Sequence, residues 1–312
     1  MQHIAPIALY AIIVMNSLLL VACQPGKRQE SSAPTPSQAT ATADSSFTGI
    51  LKLINQRVLL TGDYTRPQWS PDGSKLLFTR RGNTGLYFIY LNEPQKIITL
   101  TEKQGAGYGA AWSADGKEVY FVEKENFRPV VKSISLESRE VRLHPEVNFT
   151  SVKSFAQTGG KGPLLQLNAQ TLQVEGIDPA TGERWIITDF EGQFYEPLLS
   201  PDLQQVAVHR DAEIYVYHLR GGQRSALGRG IVASWSPDSR FLIGFLDESA
   251  DGHRITNAEL YLFAADGSSV VKLTSSADII EMWPSWHPAR NEIAFTDAES
   301  GHIYIADLLY GR

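Results

Sequence analysis

After about residue 47 the chain is built of short runs in which apolar and polar residues alternate, separated by Gly, Pro, Asp and Ser. Alternation with a period of two lines one face of a β-strand, so strands are expected at 75–79, 118–122, 205–209, 241–246 and 292–296. After a loop, each run is followed by a second one, at 86–90, 130–135, 213–217, 259–264 and 302–307. A turn such as Ala265-Asp266-Gly267 then leads to a last short strand, here 270–273.

One motif recurs ahead of the first strand of each set. Its copies are Gln68-Trp69-Ser70-Pro71-Asp72-Gly73, Ala111-Trp112-Ser113-Ala114-Asp115-Gly116, Ser234-Trp235-Ser236-Pro237-Asp238-Ser239 and Ser285-Trp286-His287-Pro288. Leu199-Ser200-Pro201-Asp202 keeps the turn with Leu in place of Trp, and a degenerate copy is expected at Phe155, 43 residues after Trp112. Six units averaging about 43 residues result. Pro71 and Pro237 fix φ at the turn, and Asp72-Gly73 and Asp115-Gly116 supply the acceptor and the positive-φ position of a tight turn, so these aspartates read as structural.

Counting the short strand that carries the Trp, each unit has four antiparallel strands, and strands this short are stable only when the sheets share a core. The expected fold is all-β: a six-bladed β-propeller of four-stranded antiparallel blades. The last unit lacks one strand. Segment 57–61 is expected to fill it by pairing with 302–307, because it ends in Leu60-Thr61 as other last strands end in Leu100-Thr101 and Leu273-Thr274. Segment 49–54 has no assigned place.

The recurring Trp-Ser-Pro-Asp-Gly resembles the repeat of TolB-like β-propellers, an extracytoplasmic family, over residues 57–308. TolB proper carries an additional α/β domain ahead of its propeller, which these 312 residues have no room for, so the resemblance implies the propeller and leaves a Tol–Pal role open.

Residues 4–22 are nearly all apolar and run into Leu20-Val21-Ala22-Cys23, which holds the only cysteine. This resembles a bacterial lipobox, implying cleavage before Cys23 and its acylation, although Met1-Gln2-His3 lacks the usual basic start. An uncleaved membrane anchor is the alternative. Residues 24–46, rich in Gln, Ser, Thr, Ala and Pro, cannot bury enough apolar surface to order themselves. The expected organisation is therefore a signal peptide at 1–22, a disordered tether with lipidated Cys23 at 23–46, and a propeller at 47–312 held outside the cytoplasm.

With 28 Lys and Arg against 34 Asp and Glu, the net charge of −6 argues against nucleic acid as a partner. One cysteine excludes an intrachain disulfide. No Gly-x-Ser-x-Gly elbow occurs, and His3, His144, His209, His218, His253, His287 and His302 lack metal-ligand spacing. Neither a metal nor another cofactor is expected, although His209 and His253 could meet across blades. Asp247-Glu248-Ser249-Ala250-Asp251-Gly252 echoes a calcium loop but has Ala258 where the closing carboxylate belongs, and Asn148-Phe149-Thr150 matches a sequon.

The loops leading into the first strands carry Arg66, Tyr108, Phe194, Tyr195 and Trp283, which are expected on one propeller face. Aromatic and Arg side chains offer large contact area with little entropy loss. The expected function is non-catalytic: a monomeric binding or scaffold module of the cell envelope, taking a protein, peptide or glycan. An extracytoplasmic propeller enzyme, a lyase or glycan hydrolase with residues scattered over blades, is the alternative.

Overall fold

In the computed structural model, residues 50–190, 192–249 and 254–310 are described. The expected signal peptide, the tether, Cys23, His253 and the Ala250–Gly252 part of the calcium-like loop lie outside them.

The motif builds the same turn in every full copy. The Ser113 hydroxyl donates to Asp115 Oδ1 at 2.7 Å and accepts the Glu118 N–H at 2.9 Å. Ser236 does the same with Asp238 and Phe241 at 2.6 and 2.9 Å. Ser70 and Ser200 repeat the arrangement. In the last copy His287 stands in, its Nδ1 accepting the Ala289 and Arg290 N–H groups, both at 3.0 Å. The ring of His287 lies against Gly73, where φ is +67° and a Cβ would fall 2.4 Å from Nε2, so only glycine fits.

Each turn joins the first two strands of a blade. Blade 1 comprises Tyr64–Trp69, Lys75–Arg80, Thr84–Tyr90 and Ile98–Thr101. Blade 2 comprises Ala111–Trp112, Glu118–Glu125, Arg128–Ser135 and Val141–Leu143. Blade 4 has Phe194–Leu199, Gln205–Arg210, Glu213–His218 and Arg224–Arg229. Blade 5 has Ile231–Trp235, Phe241–Ser249, Ile255–Ala264 and Val270–Lys272. Blade 6 consists of Glu281–Trp286, Glu292–Asp297 and Ile303–Tyr310, completed by Ile50–Leu60. All neighbours pair antiparallel, and the architecture is a six-bladed propeller.

The closing strand pairs as expected, Arg57 opposite Ile305 and Leu60 opposite Ile303. It is longer than expected: after an irregularity at Asn55, whose φ is +54°, Lys52 and Leu53 continue along Leu309 and Leu308. The early part of this segment, unplaced from sequence, thus extends the same ladder, and Asn55 Nδ2 secures it to Asp307 at 2.7 Å.

Blade 3 departs from the four-strand expectation. Its sheet has three strands, Leu164–Leu167, Val174–Ile177 and Arg184–Ile186. A short helix, Val152–Thr158, precedes them where the other blades have their first strand. The degenerate copy at Phe155 is therefore helical, with its ring edge-on to Tyr120 at 5.4 Å. This stretch has neither the alternation nor the Ser-Pro-Asp turn of the other copies. Asn148 turns the chain into it by accepting the Thr150 N–H at 2.9 Å, and Gly159 at φ +60° ends it. The sequon thus serves as a cap. Ser154 ties the helix to Leu165 of blade 3 at 2.9 Å, and Gln157 ties it to the Ser200 carbonyl of blade 4 at 3.1 Å.

The motif tryptophans join the blades. Trp69 Nε1 donates to the Ser285 carbonyl of blade 6 at 3.1 Å, Trp112 to Gln68 of blade 1 at 3.2 Å, and Trp235 to Leu198 of blade 4 at 3.1 Å. Each acceptor immediately precedes the motif position of the preceding blade. In urea denaturation Trp112→Ala is expected to cost about 3–5 kcal/mol, the range for truncating a buried aromatic. Trp112→Phe keeps most of the packing but strands the Gln68 carbonyl, for a loss of about 1–3 kcal/mol.

Candidate functional site

Three first strands carry the same irregularity. In blades 1, 4 and 6 the residue three before the motif position is followed by proline: Arg66-Pro67, Glu196-Pro197 and Trp283-Pro284. All three residues are left-handed, with φ of +54°, +47° and +56°, and the pairing register slips around each. Blade 2 has Gly109 there, at φ +71°. A non-glycine residue in this region costs about 1 kcal/mol, and a bulge re-aims its side chain out of the pleat.

The re-aimed side chains of blades 1 and 6 are in contact, and that of blade 4 is linked to blade 1 electrostatically around the propeller axis. The Arg66 guanidinium lies over the Trp283 ring, 3.4 Å from its centroid, and 5.8 Å from the Tyr108 centroid. Glu196 is electrostatically coupled to Arg66, to His209 and to Lys153, which projects from the helix replacing the first strand of blade 3. Arg66, Lys153 and Glu196 are each half-exposed.

Burial lowers the pKa of Arg66, opposed by Glu196 and Tyr108. It lowers that of Lys153 too, with Glu196 opposing and Arg66 adding to the effect. Burial alone would raise Glu196, but Lys153, Arg66 and His209 hold it below its usual range. Burial and then Glu196 push the Tyr108 and Tyr195 hydroxyls up to about 12. His209 is pushed down to about 4 by burial and is neutral at physiological pH. By residue type the axial group has two basic side chains and one acidic one.

None of these charges is neutralised by contact. Among the described residues, no ion pair within 4 Å and no hydrogen bond engages the Arg66 guanidinium, the Lys153 ammonium or the Glu196 carboxylate, and Tyr108 and Trp283 make no side-chain hydrogen bond. The shallow depression beside Arg57 and Arg290 differs in this respect. There Glu292 pairs with both arginines, at 3.0 and 3.1 Å.

The five residues singled out from sequence divide. Arg66 and Tyr108 are at the axis, Tyr108 with 45% of its surface exposed. Tyr195 is half-buried, stacked on His209 at 5.2 Å, with its hydroxyl donating to the Asp211 carbonyl. Trp283 is only 9% exposed: its face is covered by Arg66 and its edge meets Phe245 at 4.9 Å, so it supports the site more than it faces a ligand. Phe194 does not belong to the face. It is 1% exposed, packed against Phe190 and Tyr217, because adjacent strand residues point to opposite sides and Tyr195 takes the axial one.

Glu196 and Lys153 were missed. Glu196 had a signal, the x-Pro pair three residues before the motif position that it shares with Arg66 and Trp283. Lys153 had none, since it reaches the axis from a helix where the repeat predicts a strand. His209 Nε2 accepts the Val232 N–H of blade 5 at 2.9 Å, so that nitrogen links blades and is closed to a metal. No group of three or more His, Cys, Asp or Glu among the described residues is placed to hold one.

Fold and site together define a propeller with a charged axial passage. Among solved structures the chain is similar to TolB from Acinetobacter baumannii, with a TM-score of 0.57 and 19% identity over 73% of this chain. It spans 59% of that TolB chain. It is also similar to the β-propeller domain of Cps50 (Swd1) from Myceliophteria thermophila, with a TM-score of 0.53 and 14% identity over 81% of this chain and all of that one. No protein-family model and no curated protein matches it. The fold is that of a TolB-like six-bladed propeller.

At the start of the first strand of blade 6, Glu281 is fully buried opposite Asp297, accepts from the Ser276 hydroxyl at 2.5 Å, and leaves Oε2 without a partner. Burial, with Glu259 and Asp297 adding, pushes its pKa up to about 7. The folded state then binds a proton that the unfolded state has released between about pH 4.5 and 7, so this carboxyl lowers stability as pH rises through that window. Glu281→Gln is expected to gain stability relative to wild type progressively from pH 4.5 to 7, as read by urea denaturation at a series of pH values.

Proposed function

We propose that this protein is a non-catalytic binding module of the bacterial cell envelope, anchored outside the cytoplasm through acylated Cys23 and taking a protein, peptide or glycan ligand at the axial passage. The observation that carries this reading is the set of polar groups without partners around Arg66, Lys153 and Glu196. Folded proteins hold strained left-handed residues mainly where function requires them. Here strain and missing partners coincide at one place. Among the described residues no helix is long and apolar enough to cross a membrane. The unique cysteine after the apolar run at 4–22 supports a lipid as the anchor. The alternative, a lyase or glycan hydrolase, would need His or carboxylate groups in reach of one another, and at the axis Glu196 is accompanied by a histidine whose Nε2 is already engaged.

Two experiments test this reading. In a bacterial host, Cys23→Ser is expected to abolish labelling by radioactive palmitate and cleavage of the precursor; an acylated variant, or an unlabelled wild type, would refute the anchor. Lys153→Met replaces a desolvated charge with an apolar chain of similar length. Residues kept for binding rather than stability commonly yield on the order of 0.5–2 kcal/mol when so replaced. Urea denaturation is expected to show a neutral or stabilising effect, whereas a loss above about 1 kcal/mol would mark Lys153 as structural.

A further inference from the structure

We infer that the axial passage recognises a single carboxylate carried by a peptide, held between the Arg66 guanidinium and the Lys153 ammonium. This rests on the proposed binding role of the passage and narrows it to one chemistry.

Charge comes first. By formal charge, Arg66 and Lys153 against Glu196 give the axis an excess of one positive charge in a chain whose net charge is −6. Because Glu196 touches neither cation within 4 Å, their donors remain available. One incoming negative charge brings the group to neutrality. A dianion such as a phosphate monoester would overshoot and face Glu196 at short range in a poorly solvated passage, where like charges repel strongly.

Geometry adds direction. Arg66 is stacked on Trp283, and its bulged backbone is followed by Pro67, so the planar fork of donors is oriented before a ligand arrives. Lys153, near enough for Arg66 and Glu196 to act on it electrostatically, supplies a second, point-like donor. An oriented fork beside an ammonium suits a planar carboxylate.

The aromatic groups favour a peptide over a sugar. Stacking on a pyranose needs an open aromatic face. Arg66 covers the face of Trp283, and His209 covers one face of Tyr195. Tyr108, beside Arg66, keeps 45% of its surface exposed and can flank an apolar side chain next to the carboxylate.

The test uses the full-length chain with its lysines reductively methylated with carbon-13, which preserves their charge; the Lys153 signal is identified by its loss in Lys153→Arg. The probes are N-acetylphenylalaninate, which carries a terminal carboxylate, and N-acetylglutamyl-phenylalaninamide, which carries a side-chain one. N-Acetylphenylalaninamide, phenyl phosphate and glucuronate are the comparisons. At least one of the two peptide carboxylates is expected to shift the Lys153 signal saturably, the stronger of them telling which carboxylate is read, and to bind at least about tenfold more tightly than any of the three comparisons. Arg66→Gln is expected to weaken that binding by a similar factor.

If the neutral amide binds as tightly as the carboxylates, the passage binds peptides without reading charge, so the carboxylate inference fails while the binding role stands. If glucuronate or phenyl phosphate binds at least as well, the ligand class is wrong. If no probe shifts the signal, the inference and the binding role of the passage fall together.

Discussion

The indole N–H of the motif tryptophan, donating to a backbone carbonyl on the neighbouring blade, is the interaction on which the ring depends. A single blade leaves both faces of its sheet uncovered and cannot be stable alone. Each tryptophan fills a seam with a large apolar surface, and its Nε1 fixes the height of one blade against the next through Ser285, Gln68 or Leu198. The acceptors occupy equivalent positions in their own blades, so the geometry repeats at these three seams. The ladder between Ile50–Leu60 and Ile303–Tyr310 then holds the two ends of the ring together.

Close approach of the first strands has a consequence at the axis. A regular first strand presents its residues to the two sheet faces, both already packed. A bulge at the residue before proline turns one side chain out of that pattern and into the passage, as Arg66, Glu196 and Trp283 show. The seams keep these strands rigid, so the strain of the left-handed residues is carried by the framework and the charged groups are held without contact between them. At the seam between blades 3 and 4, where blade 4 has Leu199 in place of tryptophan, the helix is used instead: Gln157 bonds the Ser200 carbonyl.

Most of the fold was legible in the sequence. The period-two runs and the Trp-Ser-Pro-Asp-Gly turns mark strands and joints through local chemistry: a Ser hydroxyl and an Asp carboxylate closing a turn need no distant partner. Blade number and the closing strand followed from spacing and from the shared Leu-Thr ending. The helix in blade 3 was not legible, because its sequence lacks the repeat and a seven-residue helix is too short to be stable without the surfaces it joins. Of the residues singled out, Arg66, Tyr108 and Tyr195 are at least partly exposed, while Phe194 is buried on the other side of its strand.

The sequence by itself determined the repeat, the turn chemistry, the number of blades and the residues that fill the seams, since each of these is encoded within a few residues or in their spacing. Only the tertiary structure decided that Glu196 and Lys153 join Arg66 at one point, that Trp283 supports rather than receives, and that their charges remain unpaired. The physical reason is distance: Arg66, Lys153 and Glu196 are separated by roughly 40 to 130 positions along the chain, and electrostatic coupling among them arises only when the ring brings their blades together around its axis.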